Sequence, residues 1–212
     1  MPFAYAEACQ EIGVPYYAMD LKSELAQEKV AEIAPDLGVL FGCRILNDQI
    51  IDQARLGTVN FHARDAEQFR GGGALGYWEL LEEVDDVQIT IHKAVAKVDA
   101  GEMVQRSRLA IEECDTLESL LLKTVTRGVG FYAQTIADFA SGKIKTRPQK
   151  SDGVKTYRRN LIKETIFRKE RRQILTKMSR YQDEAVPELW AESVNEQYDQ
   201  NQAIAVLAYP RI

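Results

Sequence analysis

The sequence predicts an α/β protein in which an open, mostly parallel sheet is flanked by helices. Two observations predict this class. Along the first two thirds of the chain, short apolar runs typical of buried strands alternate with amphipathic segments of helical period. The composition, 45% hydrophobic and 28% charged residues, is that of an ordinary globular protein and excludes a largely disordered chain.

Each predicted element has a local reason. Gly13 follows the first helix, Pro35 follows the second, and the long helix begins near Asp115 with Glu118 in the spacing of a capping box. Strands are assigned to short apolar runs that lead into a glycine or a polar turn. The predicted helices span residues 3–12, 24–34, 47–54, 77–83, 115–140 and 161–181. The predicted strands or extended segments span residues 14–17, 36–41, 57–61, 87–95, 103–111 and 203–209.

Composition divides the chain into two predicted units, residues 1–150 and a basic helical extension over 151–212 that ends in a strand-like segment. Between Lys143 and Arg180 there are 14 basic and 3 acidic residues, a local charge of +11 in a chain of net charge −5. Such a segment is typical either of a solvated helix or of a surface that attracts a phosphate-bearing partner, and both interpretations stay open.

Cysteine, histidine and hydropathy patterns exclude several classes. The three cysteines are far apart, which argues against a disulfide framework or a zinc site and fits a reducing cytoplasm. The chain has only two histidines, so no metal site is predicted. No run approaches the roughly 18 apolar residues of a membrane span, and no secretory signal is visible. We therefore predict a cytoplasmic protein with no membrane partner.

The glycine-rich run 71–76 satisfies the pattern G-x-G-x-x-G. A dinucleotide site needs a strand immediately before that pattern, whereas residues 63–70 are rich in charge. No Gly-Lys-Ser or Gly-Lys-Thr follows, so a phosphate-binding P-loop is not supported either.

A sharper pattern combines Asn60, His62, His92 and Asp99. Alternation along the strand 57–61 places Asn60 and His62 on one face, near the edge where open α/β sheets bind ligands. An amide and an imidazole donate to an oxyanion, and a carboxylate raises the pKa of the histidine and relays a proton. The pattern suits acyl transfer to an amine. A strand end with satisfied hydrogen bonds is the alternative.

Five motifs together resemble the formyltransferase family, whose members act on glycinamide ribonucleotide, methionyl-tRNA or amino sugars. They are Leu-Phe-Gly-Cys-Arg-Ile-Leu at 40–46, Gly-Thr-Val-Asn-Phe-His at 57–62, Phe-Arg-Gly at 69–71, Ile-Thr-Ile-His at 89–92 and Val-Asp-Ala-Gly at 98–101. Their order and spacing match over about residues 5–150. The resemblance implies a Rossmann-like fold that lacks the family's first β-α-β unit.

The resemblance also implies site roles, with 10-formyltetrahydrofolate as formyl donor. Asn60, His62 and Asp99 correspond to the catalytic trio, and Arg70 and Gly71 to the loop that borders the acceptor. The folate-binding positions are Cys43, Arg44, Ile45, Leu46, His92, Val95 and Val98. For Ile45 and Leu46, ordinary core packing is the alternative. The chain departs from the family pattern in the acceptor loop, with Ala66-Glu67-Gln68 in place of a Leu-Pro pair.

The expected acceptor is a primary amine on a small molecule, preferably an amino sugar carried on a nucleotide. Methionyl-tRNA formyltransferases carry a C-terminal β-barrel, whereas residues 151–212 suggest one helix and a strand. Because the segment between Lys143 and Arg180 is basic, methionyl-tRNA stays open as an alternative acceptor. Two other interpretations also stay open: a formyltetrahydrofolate hydrolase, and a truncated, non-catalytic relative that binds folate or a partner. A homo-oligomer is compatible with the sequence.

Overall fold

A computed structural model describes residues 5–43, 45–71, 78–79, 82, 84–112, 115, 117–157 and 203–204. The helices are α1 (Tyr5–Glu11), α2 (Glu24–Ile33), α3 (Asp48–Ile51) and α4 (Leu117–Ala140). The strands are β1 (Tyr17–Ala18), β2 (Gly38–Phe41), β3 (Thr58–His62), β4 (Phe69–Gly71), β5 (Asp86–Lys93), β6 (Met103–Ala110), β7 (Lys155–Tyr157) and β8 (Ala203–Ile204). The predicted helix 161–181 lies outside the described residues, as does most of the predicted helix 77–83.

Local capping explains where the short helices begin. The hydroxyl of Ser23 accepts a hydrogen bond from Ala26 N at 3.2 Å at the start of α2. The side chain of Asn47 caps α3 in the same way, through Ile50 N at 3.1 Å. The strands β4 and β7 were not expected, because three residues carry no readable periodicity.

The main sheet has the order β2-β3-β5-β6. The Rossmann-like α/β class with a mostly parallel sheet is confirmed, since β2, β3 and β6 run in the same direction. Strands β2 and β3 are parallel, whereas β5 runs antiparallel to both β3 and β6. The link between β5 and β6, residues 94–102, is shorter than the dozen or more residues that a parallel crossover needs.

The two faces of the sheet have different roles. One face packs against α4, and its core consists of Val59, Phe61, Ile89, Ile91, Val104 and Tyr132. The opposite face carries the polar side chains of β3 and β5. The segment between β3 and β4 covers this face, where Ala66 N donates to the hydroxyl of the buried Thr90 at 3.2 Å. Polar groups are therefore enclosed between the sheet and this segment.

A second, small sheet joins strands from both sides of residue 150. Strand β7 pairs in parallel with β4, which places Thr156 opposite Arg70 and Tyr157 opposite Gly71. Strand β8 pairs antiparallel with β1. None of the helices in the described part of the chain has the length and apolarity needed to cross a bilayer.

Candidate functional site

The antiparallel register of β3 and β5 places Asn60 directly opposite His92. Directly opposed residues project their side chains to the same face. Asn60 Nδ2 lies 3.2 Å from His92 Nε2. His62 lies two residues further along β3 on that face, and the centroids of the two imidazole rings are 6.0 Å apart. Both histidines of the sequence are buried there.

The turn between β5 and β6 brings Asp99 into the same cluster. Its carboxylate oxygens lie 3.6 Å from His62 Nδ1 and 3.4 Å from His92 Nε2, and one of them accepts a hydrogen bond from Gly71 N at 2.8 Å. Asp99 has a φ of +50°, in the left-handed region that Asp tolerates better than most residues. The structure therefore brings Asn60, His62 and Asp99 together and adds His92 to them.

Backbone carbonyls fix the neutral tautomers of both rings, because a carbonyl oxygen only accepts. His62 Nε2 lies 2.9 Å from Phe69 O and carries the hydrogen, which leaves the lone pair of Nδ1 facing Asp99. His92 Nδ1 lies 2.8 Å from Lys93 O and carries the hydrogen, so its Nε2 accepts from the amide of Asn60.

Burial decides the charge state of His62. It lowers the pKa of His62 to about 4, and the opposing effects of Asp99 and of the Phe69 carbonyl are smaller. Asp99 does raise the pKa of His62, as expected, but burial outweighs this effect. Burial also raises the pKa of Asp99, but the proximity of His92 and of His62 and the hydrogen bond from the Gly71 amide bring it down to about 2. At neutral pH the cluster holds a neutral His62 beside an ionised Asp99.

This arrangement predicts a stability change on acidification. An unfolded chain protonates His62 below a pH of about 6.5, whereas the folded chain does so only below about 4. The unfolded state therefore binds the extra proton, and the free energy of unfolding falls by roughly 3 kcal/mol from this group as the pH drops from 6.5 to 4. Urea unfolding of the wild type and of His62→Asn at several pH values in this range measures how the free energy of unfolding of each protein changes. If the difference in this free energy between the two proteins stayed constant with pH, the low pKa of His62 in the folded chain would be contradicted.

The residues predicted to bind folate flank this cluster. Leu46 is buried in one apolar cluster with Ile50 and Ile51, and Ala94 packs against that cluster. Core packing is thus the observed environment of Leu46. In contrast, the side chains of Ile45 and Val95 are 67% and 44% exposed and leave apolar surface for an aromatic ring.

The other predicted folate-binding positions are less informative. Cys43 is half-buried with its thiol directed to the Phe41 carbonyl, and burial raises the pKa of that thiol. Val98 is half-buried in the turn that carries Asp99. Arg44 lies outside the described residues.

Arg70 and Gly71, which were predicted to border the amine substrate, make different contacts. The guanidinium of Arg70 is buried and donates to Ala66 O at 3.0 Å, Gln149 Oε1 at 3.0 Å and Lys150 O at 3.4 Å. Gly71 donates its amide hydrogen to Asp99. Sequence analysis missed Gln149 and the Phe69 carbonyl, because no local pattern marks a backbone oxygen or a glutamine distant in sequence.

Comparison with known proteins identifies the family of the chain. The model of the formyl transferase family matches residues 2–136. The chain is 34% identical over 167 residues to methionyl-tRNA formyltransferase of Bacillus velezensis, an alignment that covers 77% of this chain and 51% of that protein. It is 29% identical over 161 residues to the enzyme of Listeria monocytogenes, covering 74% of this chain and 51% of that protein. The chain thus spans about half the length of the curated relatives it matches.

Solved structures show the same fold at low sequence identity. A sugar N-formyltransferase from Shewanella aligns with a TM-score of 0.63 at 15% identity, over 76% of this chain and 66% of that chain. Methionyl-tRNA formyltransferase from Clostridium thermocellum aligns with a TM-score of 0.56 at 18% identity, over 73% of this chain and 66% of that chain. The family match, the fold and the motifs agree, and the chain belongs to the formyl transferase family.

Proposed function

We propose that the chain transfers a formyl group from 10-formyltetrahydrofolate to a primary amine, with Asn60, His62 and Asp99 as catalytic residues. One observation carries the proposal: an ionised, nearly buried carboxylate lies within 3.6 Å of two histidines, one of which binds the amide of Asn60. The exposed apolar side chains of Ile45 and Val95 fit the aromatic part of the folate.

The bond changes of this transfer define what the residues have to do. The amine nitrogen attacks the formyl carbon, the bond from that carbon to the folate nitrogen breaks, and the proton lost by the amine passes to the leaving nitrogen. Asn60 Nδ2 has two hydrogens and gives one to His92. The second hydrogen is available to the formyl oxygen, which becomes negative during the attack. A hydrogen-bond donor that is already fixed in place stabilises this charge most effectively.

His62 and Asp99 handle the proton. The lone pair of His62 Nδ1 and the Asp99 carboxylate face each other at 3.6 Å, which is an unfavourable contact between two acceptors. A single proton taken from the amine converts this contact into a charge-assisted hydrogen bond. The pair then returns that proton to the leaving nitrogen, so the site ends in its initial protonation state.

For the acceptor we propose an amino sugar carried on a nucleotide. Proteins of the same fold include the formyltransferase PseJ from Anoxybacillus kamchatkensis, solved with a UDP-linked formamido sugar and tetrahydrofolate (TM-score 0.57, 18% identity). The second candidate is the amine of methionyl-tRNA. It is favoured by the curated relatives and by the local charge of +11 between Lys143 and Arg180, which would attract a phosphate backbone.

The test is an assay of the purified chain with 10-formyltetrahydrofolate and, in separate reactions, a nucleotide-linked amino sugar, methionyl-tRNA or no amine. Mass spectrometry detects the formylated product, and formate is measured in parallel. We expect formylated amino sugar as the main product. Formylation of methionyl-tRNA alone would select the second candidate. Formate without an amine would indicate a hydrolase, and absence of turnover with a folded chain that binds folate would indicate a non-catalytic relative.

A further inference from the structure

A segment that follows α4 spans the outside of the candidate site. We call residues 146–157 the strap. At its start, Thr146 donates to the carboxylate of Glu102 at 2.7 Å, and the backbone of Arg147 exchanges two hydrogen bonds with that of Met103. At its end, β7 pairs with β4. The strap therefore connects the beginning of β6 with the segment that covers the polar face of the sheet.

An ion pair anchors the first part of the strap to the segment that covers the polar face of the sheet. The guanidinium of Arg147 donates to both carboxylate oxygens of Glu67, at 2.7 and 3.0 Å, and Lys150 N donates to the same carboxylate at 2.8 Å. This hydrogen bonding from Arg147 lowers the pKa of Glu67 to about 2. The anchor holds Gln149, one of the two residues between Arg147 and Lys150, at the boundary between the covering segment and the turn 94–102.

Gln149 uses both ends of its amide to connect these two parts. Its Oε1 accepts from Arg70 Nη2 at 3.0 Å, and its Nε2 donates to Gly101 O at 2.6 Å. Arg70 precedes Gly71, whose amide donates to Asp99, and Gly101 follows Asp99 by two residues. The contacts form a closed ring that runs from Asp99 through Gly71, Arg70, Gln149 and Gly101 back to Asp99.

The turn is also fixed from the side of β5, which leaves it little freedom. A Cβ at position 101 would lie 1.8 Å from Lys93 O, so the backbone of Gly101 is pressed against the end of β5. With β5 on one side and Gln149 on the other, the turn holds Asp99 at its positive φ and at its distances from His62 and His92.

We infer that Gln149 is a positioning residue for the candidate active site, which fixes Asp99 against His62 and His92 by linking Arg70 to the Gly101 carbonyl. This inference rests on the proposed function. A glutamine is suited to this role because its side chain donates and accepts at once, whereas a carboxylate of the same size cannot donate to Gly101 O.

Two variants test the inference, and a third serves as control. Gln149→Leu removes both links, and Gln149→Glu keeps the acceptor for Arg70 but loses the link to Gly101. We expect both to lower kcat by about 10- to 100-fold while KM for the folate donor stays unchanged. The control residue, Lys155, lies in the same strap. Lys155→Ala removes its ion pair with Glu82, which lies outside the strap, and is expected to keep the wild-type kcat.

Histidine NMR provides a readout that does not depend on turnover. Because the whole sequence contains two histidines, both in the site, ¹⁵N-histidine labelling reports on this cluster alone. The ring signals of His62 and His92 are expected to move in both Gln149 variants and to stay in place in Lys155→Ala. If the wild type transfers no formyl group, the proposed function fails but the NMR result still tests the positioning role. Unchanged ring signals in both folded Gln149 variants, or unchanged kcat in an active protein, would overturn the inference.

Discussion

Replacing Asp99 by Asn is expected to lower the rate of formyl transfer by roughly 10²- to 10⁴-fold, the range typical of a lost acid–base group. The amide retains an oxygen that accepts from Gly71 N, and Asn tolerates the positive φ at this position. The substitution therefore removes the negative charge beside His62 and leaves the turn in place. Single-turnover kinetics with saturating folate and amine measures the loss.

A matched control for this variant is Asp36→Asn. The carboxylate of Asp36 is half exposed and pairs with Arg55 at 2.7 Å, outside the site. It should keep the wild-type rate. Retention of full activity in Asp99→Asn would contradict the catalytic role. A loss of more than about 10 °C in melting temperature would show instead that Asp99 is needed for the fold.

Replacing Asn60 by Ala is expected to lower kcat by about 10²- to 10³-fold, as for other single oxyanion donors. The variant removes the amide hydrogen that is available to the developing negative charge, but it leaves the apolar surface near Ile45 and Val95 intact. Folate affinity should therefore stay close to that of the wild type. Initial rates together with calorimetric titration of a stable 10-formyl folate analogue separate the two effects.

Gln49→Ala is a suitable control for this variant, because Gln49 is exposed on α3 and offers an amide of similar chemistry away from the cluster. Its rate and folate affinity should be those of the wild type. If Asn60→Ala lost folate binding and turnover in equal proportion, the amide would act in binding, and its assignment to the transition state would be incorrect.

The positions of Asn60 and His62 followed from the sequence because period-two alternation on a short strand is a local property. The placement of Asp99 in a turn after the strand of His92 was equally local, since Gly101 and the polar residues of the segment mark a bend. The resemblance of five motifs then joined these residues into one site, and the family match supports that resemblance.

Three features depended on contacts that no local pattern encodes. The antiparallel direction of β5 places His92 opposite Asn60, and sequence alone did not indicate which strand of the mostly parallel sheet is reversed. Burial, known only from packing, makes His62 neutral although a carboxylate lies beside it. The link from Arg70 to Gln149 joins residues 79 positions apart.

For Ile45 and Leu46, the sequence left folate binding and core packing open as alternatives. The structure shows different environments for the two residues. Leu46 packs with Ile50 and Ile51, whereas the neighbouring Ile45 is 67% exposed. Adjacent apolar residues are indistinguishable by composition, and their environments differ because Leu46 packs against the apolar side chains of α3 whereas Ile45 faces solvent. The exposed one is the better candidate for contact with folate.

The central claim is that the cluster of Asn60, His62, His92 and Asp99 is the formyl-transfer site of a folate-binding protein. Titration of the ¹⁵N-histidine-labelled chain with a stable 10-formyl folate analogue, followed by NMR and calorimetry on the same sample, tests it most directly. We expect micromolar binding that shifts the ring signals of both histidines. A folded chain that binds no analogue, or that binds it with both histidines unchanged, would contradict the account.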